Sequence, residues 1–447
     1  MGGSFMEHHK VITVKIRNIP GLLGQLGVHI GEAGGLIGDI KVLRVGRDYL
    51  TRDITVLVKD QEQLKDLLAL VQTLEGIELL AVKDRVFDRH QAGKIHTRST
   101  VPVDSPEDLR DIYTPGVARV CQAIKDDPEL ARDYTTIPST VAIVTNGTAI
   151  LGLGDIGPVA GMPVMEGKSV LLDKLVGLSG VPILVDSHDP QVVIETVVAI
   201  APTFGAINLE DIRAPECFII EEELQRRLPI PVMHDDQHGT AVVVLAALIN
   251  ACRYTGMKLN EAIVGQIGLG AAGTGIATIL SAYGVKRLIG TDIEPAAVER
   301  FELLGGAGRA YEAVMAEAEI VVATTGAAGL IKPAEIRPGQ VIMALTNPVP
   351  EIEPDEALAA GARFAADGKS VNNVLGFPGL FKGALLARAQ TITSAMKIAA
   401  AEAIAPLAEN GDLVPGPLNV EVHRAVTGAV LLAASPEYTS DILDIMV

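Results

Sequence analysis

Tryptophan is absent from the 447-residue sequence, and aromatic residues make up only 3% of it. The three cysteines, Cys121, Cys217 and Cys252, are scattered without a CxxC pair, which argues against a disulfide framework and favours reduced thiols in a cytosolic protein. Basic residues are scarce, 37 against 55 acidic ones, and the net charge of -18 argues against a nucleic acid or an anionic membrane as partner. No run reaches the roughly 18 apolar residues that a membrane span needs.

Hydrophobic residues nevertheless make up 48% of the chain, which is enough for large packed cores. The length predicts two to four domains. The first residues, MGGSFMEHHKVITVKIR, lack the long apolar region of a signal peptide, so we expect a cytoplasmic protein.

Residues 1–88 combine strand and helix patterns. Ile12, Val14 and Ile16 alternate along the first strand-like run. The pattern then predicts a helix over 22–33, strands over 36–45 and 50–59, a helix over 61–75 and a last strand over 77–87. The order βαββαβ predicts a ferredoxin-like fold.

Within this segment, IRNIPGLLGQLGVHIGEAGGLIGDIKV resembles an ACT domain. The resemblance implies a small regulatory module that binds amino acids or other metabolites between paired copies. We therefore expect a metabolite effector at residues 1–88, and a domain used only for dimerisation is the alternative. The polar stretch 88–111 lacks periodicity and is interpreted as a linker and the entry to the next domain.

The rest of the chain predicts an α/β architecture of three parts. Between 112 and 240, short β-like runs (TVAIVTN, VPILVD, FGAINL) alternate with helical stretches, which is typical of a parallel, doubly wound sheet. We assign 89–240 to an α/β catalytic domain, 241–380 to a Rossmann domain, and 381–447 to C-terminal helices that pack back on the catalytic domain.

The segment 262–295 carries a dinucleotide-binding pattern. A strand-like entry leads to GxGxxG, formed by Gly268, Gly270, Ala271, Ala272 and Gly273, and a helix of small residues follows. The glycines permit a tight turn, close approach of a pyrophosphate, and tight helix packing. Asp292 lies 19 residues after the last glycine, where an acid binds the ribose hydroxyls and repels a 2′-phosphate. We therefore expect NAD rather than NADP.

A second GxGxxG, formed by Gly152, Gly154 and Gly157, is followed by Pro158 and further glycines. We expect no helix or second strand at the right distance there, and interpret the segment as a loop that approaches a ligand. Asn347, and the pair Asn372 and Asn373, follow strand-like runs and are candidates at the ligand-binding edge of a sheet.

Acidic residues follow two short strand-like runs. Glu210 and Asp211 end the first, and Asp235 and Asp236 stand between His234 and His238 after the second. Three carboxylates from two strand ends can meet at one ion, and oxygen ligands suit Mg²⁺ or Mn²⁺ better than Zn²⁺. The spacing alone leaves a solvated acidic turn as the alternative.

Eight segments occur in an order that resembles the bacterial malic enzymes, over roughly residues 110–400. They are IYTPGVA, ILGLGDIG, MPVMEGKSVLL, INLEDI, HDDQHGTA, IGLGAAGTG, TNP and NNVLGFPG. The resemblance implies roles by position: Tyr113 as general acid, Lys168 as general base, Asp235 as an acid near that lysine, Glu210, Asp211 and Asp236 as metal ligands, Asn347 at the cofactor and substrate, and Asn372 and Asn373 at the substrate.

The reaction implied by the resemblance is the oxidative decarboxylation of malate to pyruvate with NAD and a divalent metal, in a homodimer or larger homo-oligomer. Such chemistry needs a base at the substrate hydroxyl, and we expect burial and the cation to lower the pKa of Lys168. A malolactic enzyme, a metal-independent dehydrogenase with an ACT domain, and a catalytically silent metabolite sensor are the alternatives. The stretch 114–146 lacks the segment in which larger relatives carry a carboxylate-binding arginine.

Overall fold

The computed structural model describes residues 8–150, 153–409 and 411–435. The chain folds as two compact units, Met1–His96 and Thr97–Val447. Gly152 of the second glycine motif lies outside the described residues, as does the tail beyond residue 435. No helix of the described part of the chain is long and apolar enough to cross a membrane.

The first unit is an antiparallel four-stranded sheet with two helices packed on one face. Its elements are β1 (His8–Arg17), α1 (Leu22–Glu32), β2 (Leu36–Val45), β3 (Tyr49–Val58), α2 (Gln61–Gln72), β4 (Ile77–Asp84) and α3 (Arg85–His90). The strand order β2-β3-β1-β4 confirms the predicted βαββαβ, ferredoxin-like arrangement. Ile12, Val14 and Ile16 are buried against the helices as their alternation predicts.

The last strand of this unit is shorter than predicted. Strand β4 ends at Asp84 rather than at residue 87, because the Asp84 carboxylate accepts the backbone N–H groups of Val86 and Phe87 and begins α3. Helix α3 therefore enters the segment that the sequence suggested to be a linker.

The second unit begins with an α/β layer around a parallel four-stranded sheet. Its elements are α4 (Pro106–Ile112), α5 (Val117–Asp126), α6 (Ala131–Tyr134), β5 (Thr140–Thr145), α7 (Pro158–Val176), β6 (Ser179–Leu184), α8 (Pro190–Ile200), β7 (Ala206–Leu209), α9 (Glu216–Arg227) and β8 (Val232–His234). The strand order is β6-β5-β7-β8, and all pairs are parallel.

The segment 88–111, interpreted as a linker and the entry to the next domain, includes the start of α4, where Ser105 and Asp108 form a capping box. The expectation that no helix or second strand follows the second glycine motif was wrong. Helix α7 begins directly after Gly157, and β6 follows it and pairs with β5, so the second glycine motif opens a βαβ unit. Pro158 does not prevent the helix, because it occupies the first turn, where its missing N–H leaves no hydrogen bond unmade.

A six-stranded parallel sheet forms the second half of the unit. Its elements are α10 (Asp235–Thr255), β9 (Ile263–Ile267), α11 (Ala271–Tyr283), β10 (Arg287–Thr291), α12 (Pro295–Leu303), β11 (Ala307–Gly308), α13 (Tyr311–Glu317), β12 (Ile320–Ala323), β13 (Val341–Ala344), α14 (Pro354–Ala359) and β14 (Phe364–Asp367). The strand order is β11-β10-β9-β12-β13-β14. The chain first builds the sheet outward from β9 on one side and then, from β12 onward, on the other, which confirms the Rossmann-like prediction.

Three helices complete the unit: α15 (Phe377–Leu386), α16 (Ser394–Ile404) and α17 (Val420–Ala434). Helix α16 packs on α10 and α17, and α17 packs on α15 and α7. Of the 21 residues of α10, 16 are buried, so this helix lies in the middle of the largest apolar core.

Candidate active site

The three carboxylates predicted as metal ligands converge at the carboxyl edge of the four-stranded sheet. Glu210 and Asp211 follow β7, and Asp236 lies in the first turn of α10, directly after β8. One oxygen from each carboxylate lies within 4.8 Å of the other two. The predicted meeting of three acids from two strand ends is confirmed.

Local backbone contacts hold the acids in this arrangement. Asp211 has a left-handed backbone with φ of 53°, which turns the chain sharply after β7. Its N–H donates to Asp236 Oδ2 at 2.9 Å, and its carbonyl accepts from the Ala149 N–H at 3.0 Å. Parallel pairing of β7 with β8 thus brings two sequence segments 25 residues apart to one point.

Lys168 lies beside these acids in the middle of α7. Its Nζ donates to Asp235 Oδ2, lies 3.0 Å from Glu210 Oε1, and stands 4.4 Å from the centroid of the Phe377 ring. Burial lowers the pKa of Lys168, but the charges of Asp235, Glu210 and Asp236 outweigh it and hold the pKa above its ordinary value. The protein's own charges therefore act against the lowered pKa that we expected.

Burial acts in the opposite direction on the acids. It raises the pKa of Glu210 to about 7 and that of Asp235 to about 6, although Lys168 opposes both shifts. Asn208 Nδ2 donates to Glu210 Oε2 at 2.9 Å and so supports its charged form. Four carboxylates, those of Glu210, Asp211, Asp235 and Asp236, thus lie close to one lysine, and an additional cation would favour their charged forms.

Asp235 depends on two neighbours that the sequence did not single out in this role. Asn373 Nδ2 donates to Asp235 Oδ2 at 2.8 Å. Gly239, one turn later on α10, leaves room for the other oxygen, since an added Cβ would lie 1.8 Å from Asp235 Oδ1. A glycine near the start of a long apolar helix was the available signal for this close approach.

The two histidines do not complete a zinc site. His238 Nε2 lies 3.0 Å from Glu221 Oε2, and Glu221 Oε1 also accepts the backbone N–H of His234 at 2.9 Å. The fully buried His234 ring has Nε2 3.4 Å from Asp236 Oδ2. Glu221 thus fixes the corner between β8 and α10 that carries Asp235 and Asp236.

The first glycine motif forms the turn between β9 and α11. Gly268 has φ of 86°, and a Cβ there would lie 2.6 Å from the Thr324 carbonyl oxygen. A Cβ at Gly273 would lie 1.9 Å from the Gly268 oxygen, whereas one at Gly270 would meet nothing within 4 Å. Two glycines are therefore required by the protein's own packing, while Gly270 leaves open space at the N-terminus of α11.

Asp292 follows β10 and faces this turn. Its Oδ2 accepts the backbone N–H of Leu269 at 2.6 Å, and its Oδ1 accepts that of Glu294 at 2.9 Å. The acid is thereby fixed beside the glycine turn, as the dinucleotide pattern predicts.

A cavity of about 570 Å³ joins the acidic cluster to the Rossmann-like sheet. It is lined by Asp236, Thr240, Ala272, Thr324, Gly326, Leu345, Thr346, Asn347, Gly368, Lys369, Val371, Asn372 and Asn373. The three predicted asparagines therefore lie around one space with Asp236. Sequence reasoning missed Lys369, a cation in this wall 3.7 Å from Asp367.

Tyr113, the predicted general acid, lies exposed at the end of α4 and is not bonded to the acidic cluster in the described part of the chain. It ends α4 and is 66% exposed. Among the described residues, no hydrogen bond or ion pair connects its hydroxyl to Lys168 or to the acids. Ala271 begins α11 beside Gly270, in the turn of the first glycine motif.

A Rossmann-like sheet and a second parallel sheet, joined by one polar cavity, define an α/β enzyme that uses a dinucleotide-type fold. Residues 92–225 match the family model of the malic enzyme N-terminal domain, and residues 237–306 match that of the malic enzyme NAD binding domain. The chain belongs to the malic enzyme family, because it also has full-length relatives of that family at high identity.

One such relative is NAD-dependent malic enzyme 1 of Bacillus subtilis (strain 168), which is 55% identical over 95% of this chain and 97% of the relative. The bifunctional malic/malolactic enzyme of the same organism is 40% identical, over 79% of this chain and 93% of its own length. The crystal structure of a malic enzyme from Pyrococcus horikoshii Ot3 superposes with a TM-score of 0.74 at 40% identity, covering 79% of this chain and 90% of that one.

Proposed function

We propose that the protein oxidatively decarboxylates (S)-malate to pyruvate and CO2 with reduction of NAD, and that it requires a divalent cation. The observation that carries this proposal is the buried Lys168, held by Asp235 and Glu210 beside a cluster of three carboxylates. The relative of higher identity is an NAD-dependent malic enzyme, which favours this activity over the malolactic one.

The donor set fits the proposed cation. Glu210, Asp211 and Asp236 offer oxygen ligands only, within 4.8 Å of one another, as Mg²⁺ or Mn²⁺ prefers. The cation would supply Lewis-acid stabilisation of negative charge on the substrate oxygens, and it would offset the acids that raise the pKa of Lys168. The NAD nicotinamide would supply the hydride acceptor.

The chain's own residues account for the proton transfers. Neutral Lys168 removes the proton of the C2 hydroxyl as hydride leaves C2, and Asp235 keeps its Nζ in position. The C3–C4 bond of the resulting keto acid then breaks, CO2 leaves, and the electron pair forms the enolate of pyruvate. Tyr113 protonates C3 to give pyruvate, and its exposed position requires the site to close or to be covered during turnover.

The substrate carboxylates have amide and cationic partners in the same cavity. Asn347, Asn372 and Asn373 offer N–H donors, and we propose that Lys369 binds the second carboxylate in place of the arginine that larger relatives carry. Lys369 already approaches the carboxylate of Asp367, so it is positioned to exchange one carboxylate partner for another.

The test measures NADH at 340 nm with malate, NAD and Mn²⁺, with and without EDTA, and CO2 in parallel. We expect NADH and CO2 together, both lost on chelation, and much less turnover with NADP because Asp292 repels a 2′-phosphate. Asp236→Asn should lower Mn²⁺ affinity, and Lys168→Met should remove turnover while retaining Mn²⁺ binding.

Other products would contradict the proposal. Lactate without NADH would identify the malolactic alternative. NADH without CO2 or metal dependence would identify a plain dehydrogenase, and binding without turnover would identify a sensor.

The Met1–His96 unit is proposed to be an ACT domain that binds a small metabolite. A cavity of about 430 Å³ in this unit is lined by Lys15, Arg17, Asp48, Tyr49, Gly76, Ile77 and Glu78. Cations and acids in one wall suit a ligand that carries both charges, as an amino acid does. Removing residues 1–88 should abolish any effector response and retain turnover, and a response that survives would refute the assignment.

The protein is further proposed to act as a homodimer in the cytoplasm. The edge strand β2 is exposed along its whole length, and six large apolar residues lie on it. Such an edge pairs readily with a second strand. Cys121, Cys217 and Cys252 are all free thiols, which fits a reducing compartment.

A further inference from the structure

A separate cavity of about 420 Å³ lies where α7, α15 and α17 meet. Its wall combines apolar side chains with three basic ones. It is lined by Leu175, Val176, Lys382, Val420, His423, Arg424 and Thr427. None of the described residues that line it is acidic, although the chain as a whole carries a net charge of -18.

The two cations in this wall stand without a counter-charge in the part of the chain that the structure describes. There, neither the Lys382 ammonium nor the Arg424 guanidinium makes a hydrogen bond or an ion pair. Lys382 is partly buried, and this burial lowers its pKa because the ammonium loses water. The partly desolvated Lys382 ammonium is unfavourable without a counter-charge, and an anion bound between it and the exposed Arg424 guanidinium would relieve that cost.

His423 adds another unsatisfied polar atom to the same wall. Its ring is buried, with Nε2 2.8 Å from the Pro417 carbonyl oxygen, and its Nδ1 has no partner among the described residues. Thr427, one turn later on α17, donates its hydroxyl to the His423 carbonyl at 2.8 Å and so fixes this part of the helix. These contacts fix the His423 ring and the Thr427 hydroxyl beside the two cations.

We propose that this cavity binds a small oxyanion, a phosphate or carboxylate group carried by a small molecule, between Lys382 and Arg424. The apolar side chains of Leu175, Val176 and Val420 suit a short carbon skeleton beside the charged group. The cavity shares no lining residue with the one next to the acidic cluster. It is therefore a second binding site rather than an extension of the first.

An anion bound in this cavity would touch α7, which carries Lys168, and α15, which packs against α7. Lys168 lies on α7 eight residues before Val176, about 12 Å along the helix axis. Helix α15 carries both Lys382 and Phe377, whose ring contacts the Lys168 ammonium. Gly383 lets α15 and α17 pack closely, since a Cβ there would lie 2.6 Å from Val430 Cβ.

The test compares the Tm in potassium phosphate, potassium acetate and potassium chloride at equal ionic strength and pH. If the oxyanion binds the native state, phosphate, acetate or both should raise the Tm by about 2 °C or more over chloride. The double variant Lys382→Gln with Arg424→Gln should lose this difference. The charge-retaining variant Lys382→Arg with Arg424→Lys should keep it.

A matched control removes two positive charges elsewhere. Lys286 and Arg363 are exposed at the amino ends of β10 and β14, and Lys286→Gln with Arg363→Gln should respond like the wild type. A difference that persists in Lys382→Gln with Arg424→Gln, or that is absent from the wild type with both oxyanions, would overturn the proposal. The experiment uses no malate turnover, so its outcome is independent of the proposed reaction.

Discussion

Asp235 is the residue on which the geometry of the candidate active site depends most. One of its oxygens accepts from both Lys168 Nζ and Asn373 Nδ2, and the other lies over Gly239. The side chain is fully buried, so a displaced Asp235 would find no water to replace these partners. The absence of a side chain at Gly239 thus allows the position of Asp235 and, through it, that of the proposed base Lys168.

Gly239→Ala should therefore lower kcat strongly, by about 100-fold, because the added methyl would displace Asp235 and with it Lys168. The measurement is kcat for malate oxidation, together with Tm and Mn²⁺ affinity. Gly416→Ala is the control, since a Cβ there meets nothing within 4 Å. A kcat within twofold of the wild type would show that Asp235 does not position the base.

Helix α16 contributes a half-buried charge, Lys397, close enough to Glu221 to be attracted by it. Burial lowers the pKa of Lys397 to about 8, and the attraction of Glu221 only partly opposes this. Glu221 also accepts from the backbone of His234 and contacts His238, so the charge of Lys397 acts on the polar group at the start of α10. Its charge at neutral pH is a cost to folding.

Lys397→Met should raise the Tm at pH 7, by about 2–4 °C, since it replaces this charge with an apolar side chain of similar length. The folded pKa lies below the unfolded one, so the wild type regains stability as the pH rises from about 8 towards 10.5, the ordinary pKa of a lysine. The advantage of the variant should shrink over that window. Thermal unfolding between pH 7 and 10 measures it, with the exposed Lys286→Met as control.

A constant difference across the pH range would contradict this account. It would mean that Lys397 is paired in the folded state and keeps its proton there.

The elements also show which features the sequence could reveal. Glu210 and Asp211 follow an apolar strand directly, and the motif from Gly268 to Gly273 lies within one turn, so local pattern was sufficient for both. Helix α7 was missed in its first turns, because glycines and prolines around Pro158 lower helix propensity while packing against β5 and β6 overrides it.

Contacts between distant segments were beyond local pattern. Asn373 and Asp235 are 138 residues apart and hydrogen-bonded, and Phe377 covers Lys168 only through the packing of α15 on α7. The raised pKa of Lys168 has the same origin, since it depends on how many carboxylates the fold assembles around one ammonium. The residue types were predictable, and their partners were not.

At the scale of the whole molecule, the exposed edge strand β2 offers a surface through which two copies of the chain could associate. Leu36, Ile37, Ile40, Val42, Leu43 and Val45 are between 39% and 76% exposed along this edge. A long apolar edge strand in an isolated chain invites pairing with other strands, and proteins usually block such edges. Antiparallel pairing with a second copy centred on Ile40 would place Asp39 opposite Lys41 of that copy, which adds charge complementarity to the apolar contacts.

Ile40→Lys combined with Val42→Lys should therefore disrupt a dimer that forms through β2, because the lysine at position 40 would lie opposite its own counterpart in the other copy and the lysine at position 42 would lie diagonal to it. Sedimentation equilibrium of the full chain measures the expected fall in mass from two copies to one. Ile19→Lys with Val28→Lys adds the same charge at other exposed apolar positions and should leave the mass unchanged. If the β2 variant keeps the wild-type mass, its copies associate through another surface, and β2 requires a different partner.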